Sequence, residues 1–223
     1  MGLQLSAQGN ERTVQAEGWS LDWYRNSEWS EDIADAFEMS LKRSRKKAQY
    51  LTIQSYQLLA TRPDVAENLA RRAIAYGDDA IIVQASNYLG TALAVQGKTD
   101  EAIAAYEQAI EVQAANPRVG SQAHLDQALL IALNDRRDMF DTVLIRLTDE
   151  AQFRPDEQHP AALIALAIIQ GALDPDANAA AEEALRWLGE QLEGCADLPP
   201  LPGLERLVDR LRLLRWPASS APS

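Results

Sequence analysis

The 223-residue chain carries 33 Asp and Glu against 21 Lys and Arg, a formal net charge of −12, and is 47% hydrophobic. That balance suits a globular protein and argues against long disorder away from the ends, while the acidic field repels phosphate and so argues against broad nucleic-acid binding. A single cysteine, Cys195, excludes an internal disulfide and a Cys-based zinc site and points to a reducing, cytoplasmic setting; no apolar run reaches the roughly 20 residues of a bilayer span.

Residues 1–18 are polar and aperiodic and read as a mobile tail. They lack the basic stretch and apolar core of a signal peptide. Gly2 and Ser6 fit the loose myristoylation pattern. The excess of Arg over Lys, 17 to 4, and the abundance of Ala point instead to a bacterial chain. Residues 19–47 hold a Trp-rich segment and an N-terminal capping helix. Trp19, Trp23, Tyr24 and Trp29 crowd eleven positions, and Ser30 with Glu31 and Asp32 looks like a helix start. From Ile33 through Phe37, Leu41, Ser44, Ala48, Leu51 and Ser55, small and apolar residues recur every three or four positions. The basic run Lys42, Arg43, Arg45, Lys46 and Lys47 takes the other faces of that stretch. It reads as the solvated side of a capping helix first, and as a contact surface second.

The clearest pattern spans Ala85 to Pro117. Ser86, Leu89, Gly90 and Leu93 form one helical stripe, and Gly97 breaks it. Thr99 and Glu101 then open a second helix with Ala102, Tyr106 and Ala109 on one face. Small residues at Gly90, Ala102 and Ala109 allow two helices to approach closely, with Leu89, Leu93 and Tyr106 filling the space between. The spacing of Leu89, Gly90, Gly97, Ala102, Tyr106 and Ala109 resembles the tetratricopeptide repeat, a helix–turn–helix unit of about 34 residues. Ser86 and Leu93 stand where that motif usually carries aromatic residues.

A lone unit cannot bury its own face, so the pattern implies neighbours. Ala66, Ala70, Ala73 and Ile74 lie 36 residues before Ala102, Tyr106, Ala109 and Ile110, and a first helix over 47–60 precedes them, where Tyr50 and Ile53 fit but Gln54 and Gln57 do not. Leu125, Ala128, Leu129 and Ala132, then Phe140, Leu144 and Leu147, give a third unit. Ala165, Ile168, Ile169 and Ala172, then Ala181, Leu185 and Leu188, give a fourth. The expected fold is all-α: a right-handed helical-hairpin solenoid of about four units over 48–193, with capping helices at both ends. A Pro-rich linker at 194–203, a C-terminal capping helix at 204–216 and a tail at 217–223 complete it.

No reactive constellation is evident. His124 and His159 lie in different units, and neither HExxH, CxxC nor GxSxG occurs. The expectation is therefore a chain with no enzymatic activity, no metal and no cofactor. By resemblance, the first helices of the units line a concave groove at Gln84, Asn87 and Thr91, at Asp126 and Leu130, and at Leu163, Leu166 and Gln170. Lys and Arg are absent from these positions, which speaks against a clamp for an acidic peptide terminus. The leading expectation is an adaptor that binds a protein partner, as a peptide or helix, in this groove. One alternative is a chaperone-like protein holding a secretion or assembly client. Another is a nucleic-acid-associated regulator using residues 42–47. The Trp cluster, Trp19, Trp23 and Trp29, reads as a cover over the first hairpin or as a docking surface.

Overall fold

A computed structural model describes residues 22–148 together with positions 165, 168 and 169. Among the described residues the regular elements are all helical: α1 (Glu31–Arg43), α2 (Lys47–Leu58), α3 (Pro63–Tyr76), α4 (Asp79–Val95), α5 (Thr99–Ala115), α6 (Ala123–Leu133) and α7 (Phe140–Thr148), with a 3-10 turn at Arg137–Met139 before α7. No helix among them is long and apolar enough to cross a membrane. Ala165, Ile168 and Ile169 are helical and buried; the rest of the expected fourth unit and the C-terminal cap lie outside the described residues.

Local chemistry sets the helix ends. The Ser30 hydroxyl accepts from the backbone N–H of Ile33 at the start of α1, and the Asp78 carboxylate accepts from Ile81 at the start of α4. Pro63 opens α3, where its missing N–H costs nothing. The helices α4 and α6 end in the same way. Gly97 has φ 75° and Asp135 φ 53°, and each follows a reversed pair of hydrogen bonds: Lys98 N to Leu93 O with Gly97 N to Ala94 O, and Arg136 N to Ile131 O with Asp135 N to Ala132 O.

Consecutive helices pack on one another from α2 to α7, and α4 also lies against α2 and α6. Small side chains permit the close approach: Ala66, Ala70, Ala73, Ala102 and Ala109 are fully buried. At Gly90 a Cβ would fall 2.5–2.8 Å from ring atoms of Tyr106, so glycine is required for this α4–α5 contact. A cation precedes each second helix of the pairs, at Arg62, Lys98 and Arg136. Arg62 pairs with Asp64 at 2.8 Å and donates to the carbonyl of Trp29. Lys98 pairs with Glu67 of α3 at 2.8 Å, and Arg136 pairs with Asp138 and with Asp100 of α5. Two of the three turns are thus tied to the preceding pair through charge.

Two expectations change. The helix expected to continue from Ser30 to about Lys47 stops at Arg43, where Ser44 turns extended at φ −79° and ψ 144°. The Ser44 hydroxyl accepts from Lys46 N at 3.0 Å. A local side-chain acceptor competes with helical bonding there, and the break relieves repulsion that Lys42–Lys46 and Arg43–Lys47 would feel at i,i+4. The inward face of α2 holds Leu51 and Ser55, as the stripe implies, but also takes in Gln54, which was not expected to fit. Leu51, Gln54, Ser55 and Leu58 are buried, while Tyr50, Ile53 and Gln57 are half-buried. Tertiary hydrogen bonds explain this. Ser55 donates to Ala66 O at 2.8 Å, and fully buried Gln54 clamps the segment before α1. Its Oε1 accepts from Asn26 N and Nδ2, each at 3.0 Å, and its Nε2 donates to Asn26 O at 2.7 Å.

Gln54→Leu keeps the volume but strips partners from the Asn26 backbone, a loss of about 2 kcal/mol. Urea unfolding should register it, and limited proteolysis should cut residues 22–29 sooner than in wild type. Gly90→Ala should cost about 1–3 kcal/mol by forcing the Tyr106 ring aside; an unchanged urea midpoint would contradict the close contact.

Candidate functional site

A helix places residues three and four apart on one face. On α4 this groups Gln84, Asn87, Tyr88 and Thr91, and on the adjoining α6 it groups Asp126 and Leu130. Gln84 is exposed, and Asn87, Tyr88, Thr91, Asp126 and Leu130 are half-buried. Three of the expected groove residues form one polar centre with a residue from a third helix. The Thr91 hydroxyl donates to the carbonyl of Asn87 at 3.2 Å and lies 3.1 Å from the Tyr106 hydroxyl. Either hydroxyl can be the donor in that second contact. On the adjoining α6, the Asp126 carboxyl is favoured in its ionised form by the Asn87 side chain. Leu130 packs at the edge of the apolar cluster that holds Tyr106, Leu89 and Ala123.

Burial pushes the Asp126 carboxyl up to about 6, opposed by the Asn87 side chain. Burial first, and the nearby Asp126 charge second, hold the Tyr106 phenol well above its ordinary range, so it stays neutral. The Asn87 Oδ1 is buried with no hydrogen-bond partner among the described residues.

Next in the chain to Asn87, Tyr88 meets Tyr56 of α2, their ring planes tilted by 43° and their centroids 5.2 Å apart. Tyr56 is 51% exposed. These two tyrosines were not among the expected groove residues. Tyr56 and Tyr88 are i and i+32, so only the packing of α2 on α4 pairs them, although Tyr88 shares the helical face of Gln84 and Thr91. Tyr106 was expected purely as filling; its hydroxyl reaches through to Thr91. Leu163, Leu166 and Gln170 lie outside the described residues.

The basic run is divided by the α1–α2 break. Lys42 and Arg43 close the last turn of α1, where cations suit the helix dipole. Arg45, Lys46 and Lys47 line an open depression of about 710 Å³ with Gly77, Asp78 and Gln84. These three cations form no ion pair among the described residues. Trp23 and Trp29 are half-buried against Phe37, at centroid distances of 5.3 and 5.5 Å, and Trp23 also meets Tyr50 at 4.9 Å. Trp19 lies outside the described residues. Among the described residues no group of three or more His, Cys, Asp or Glu side chains is placed to hold a metal ion.

Comparison with family models, curated proteins and solved structures finds no match to this chain.

Asp126 yields a prediction with a definite sign. Its folded value, about 6, lies above the ordinary 3.8, so the folded state binds the proton more tightly. The resulting stability is complete below the unfolded value and is lost as pH rises through the folded one. Partial solvent access reduces the effect to about 1–2 kcal/mol. Asp126→Asn should therefore exceed wild type in urea stability at pH 7, with the gap closing towards pH 4. A gap that stays constant across this range would refute the assignment.

Proposed function

We propose that the protein is a non-catalytic interaction module, a tetratricopeptide-like array whose first helices, α2, α4 and α6, present a groove for a peptide or helix of a protein partner. The reading is carried by the polar centre of Asn87, Thr91 and Asp126 around the Tyr106 hydroxyl. Four residues from three helices converge there, and their polar groups are only partly satisfied by one another. The repeated reversed turns at Gly97 and Asp135, and the cations at 62, 98 and 136, support the array. Tyr56 and Tyr88 add an amphipathic ledge of the kind that anchors bound chains. Mixed polar and apolar lining suits main-chain recognition combined with one or two buried side chains.

A second reading rests on Arg45, Lys46 and Lys47 around the depression. There the basic surface contacts nucleic acid in a salt-dependent manner. Labelled DNA or RNA at low salt, with the three residues changed to Gln as control, decides it.

For the groove, peptides selected from a displayed library should bind the full chain and perturb the backbone resonances of Asn87, Thr91 and Asp126. The Asn87→Ala/Thr91→Ala variant should bind them at least tenfold more weakly. Selected peptides that bind both proteins equally well would place recognition elsewhere.

A further inference from the structure

The depression at the start of α2 holds positive charge that the fold does not use. Arg45, Lys46 and Lys47 line one side of it, and none forms an ion pair among the described residues. Cations on the neighbouring elements are spent differently. Arg62, Arg71, Arg72 and Lys98 each meet a carboxylate at 2.6–2.9 Å. Unpaired charge is therefore gathered at the α1–α2 junction and does not run along α3 or the start of α5.

Both walls of the depression are held in place. On the cationic side the Ser44 hydroxyl accepts from Lys46 N at 3.0 Å and fixes the loop that carries Arg45. The other wall is the α3–α4 turn, with Tyr76, Gly77, Asp78 and Ile81, joined by Gln84. A Cβ on Gly77 would fall 2.5 Å from Ile81 Cγ2, so glycine lets this turn close tightly onto α4. Asp78 is the carboxylate that lines the depression, and it accepts from the N–H of Ile81 at 3.2 Å instead of pairing with a lysine.

Three consecutive cations repel one another, and a cleft lined mainly by one sign of charge concentrates its field. The matching occupant is an anion with more than one charge and several acceptor oxygens. A phosphate ester brings roughly −1.5 to −2 charge and three such oxygens. Lys meets it as a point charge and Arg as a fork. A single carboxylate would leave most of the positive charge unmet. Size narrows the class further. The volume of about 710 Å³ suits a small organic ligand, whose sites span about 300–1,000 Å³. A nucleic-acid strand would continue past the depression onto a protein of net charge −12 whose nearby cations are already paired. Tyr76 lines the same depression and is 64% exposed, which offers an aromatic face on which a base can stack. The exposed amides of Gln49 and Gln84 supply donors and acceptors for the edge of a base.

We propose that the depression between the start of α2 and the α3–α4 turn binds a nucleoside phosphate, its phosphate groups against Arg45, Lys46 and Lys47 and its base against Tyr76. A compact ligand thus takes the place of the nucleic-acid strand of the second reading. The site is independent of the peptide groove, with which it shares Gln84.

The test is calorimetry on the full-length chain at low salt with four probes: ADP, inorganic pyrophosphate, adenosine and a series of single-stranded oligonucleotides. ADP should bind severalfold more tightly than pyrophosphate and at least tenfold more tightly than adenosine, and its affinity should fall as salt rises. Amide resonances of residues 45–49 and 76–81 should shift on adding ADP. Changing Arg45, Lys46 and Lys47 together to Gln should weaken ADP at least tenfold, with an unchanged circular dichroism spectrum because these side chains hold no ion pair. Tyr76→Ala should weaken ADP severalfold and leave pyrophosphate unchanged. Absence of ADP binding to the wild type, or binding that survives the triple change, would overturn the proposal. So would equal affinity for ADP and pyrophosphate with no response to Tyr76→Ala, which would remove the base. Oligonucleotide affinity that exceeds that of ADP and grows with strand length would overturn it in favour of the nucleic-acid reading. The groove reading stands or falls separately, on the Asn87→Ala/Thr91→Ala variant.

Discussion

The contact of Gly90 with the Tyr106 ring governs both the packing and the site. Because residue 90 has no side chain, the ring can lie flat against α4 and bring α5 close. The same ring carries its hydroxyl to Thr91, 3.1 Å away. A side chain at position 90 would move the ring, and with it the hydroxyl that meets Thr91. The tight interhelical approach and the polar centre are therefore one arrangement seen from two sides.

Around that contact, charge holds successive helix pairs in register. Glu67 receives Lys98 and Arg71, and Arg146 joins Glu107 while both meet Gln127. Most of these pairs are partly exposed and individually weak. The buried Ala, Leu and Ile side chains supply the bulk of the stabilisation, and the ion pairs favour one alignment of each pair on the last. Asp126 runs the other way. Its burial penalises the ionised form, and no cation among the described residues compensates. The ionised carboxylate is thus a cost to stability at neutral pH rather than a contribution to it.

Much of this was readable along the chain, and the exceptions have physical causes. The stripe of Ser86, Leu89, Gly90 and Leu93 and its counterpart of Ala102, Tyr106 and Ala109 required only helical periodicity and side-chain size, and all seven are buried. On α2 the stripe already held Leu51 and Ser55, but Gln54 escaped because it is polar; it is buried on account of partners on Asn26, 28 residues away, which no local pattern reveals. The break at Ser44 escaped because the apolar stripe continues across it, while the backbone answers to a local hydroxyl and to like charges. Asn87, Thr91, Asp126 and Leu130 were nominated by position within the repeat resemblance. Tyr56 and Tyr88 were missed because a ring contact across helices leaves no mark on spacing.

The sequence by itself determined that the chain is helical, which small residues line the helix crossings, and which faces of α4 and α5 are buried. These follow from period, volume and turn chemistry, all local properties. Only the tertiary structure decided that the basic run is split between a helix end and an open depression, that a buried glutamine fastens the Trp-rich segment, and that Asp126 loses water without gaining an ion pair among the described residues. Those outcomes depend on desolvation and on hydrogen-bond partners brought together from distant parts of the chain, and neither quantity exists until the helices have packed.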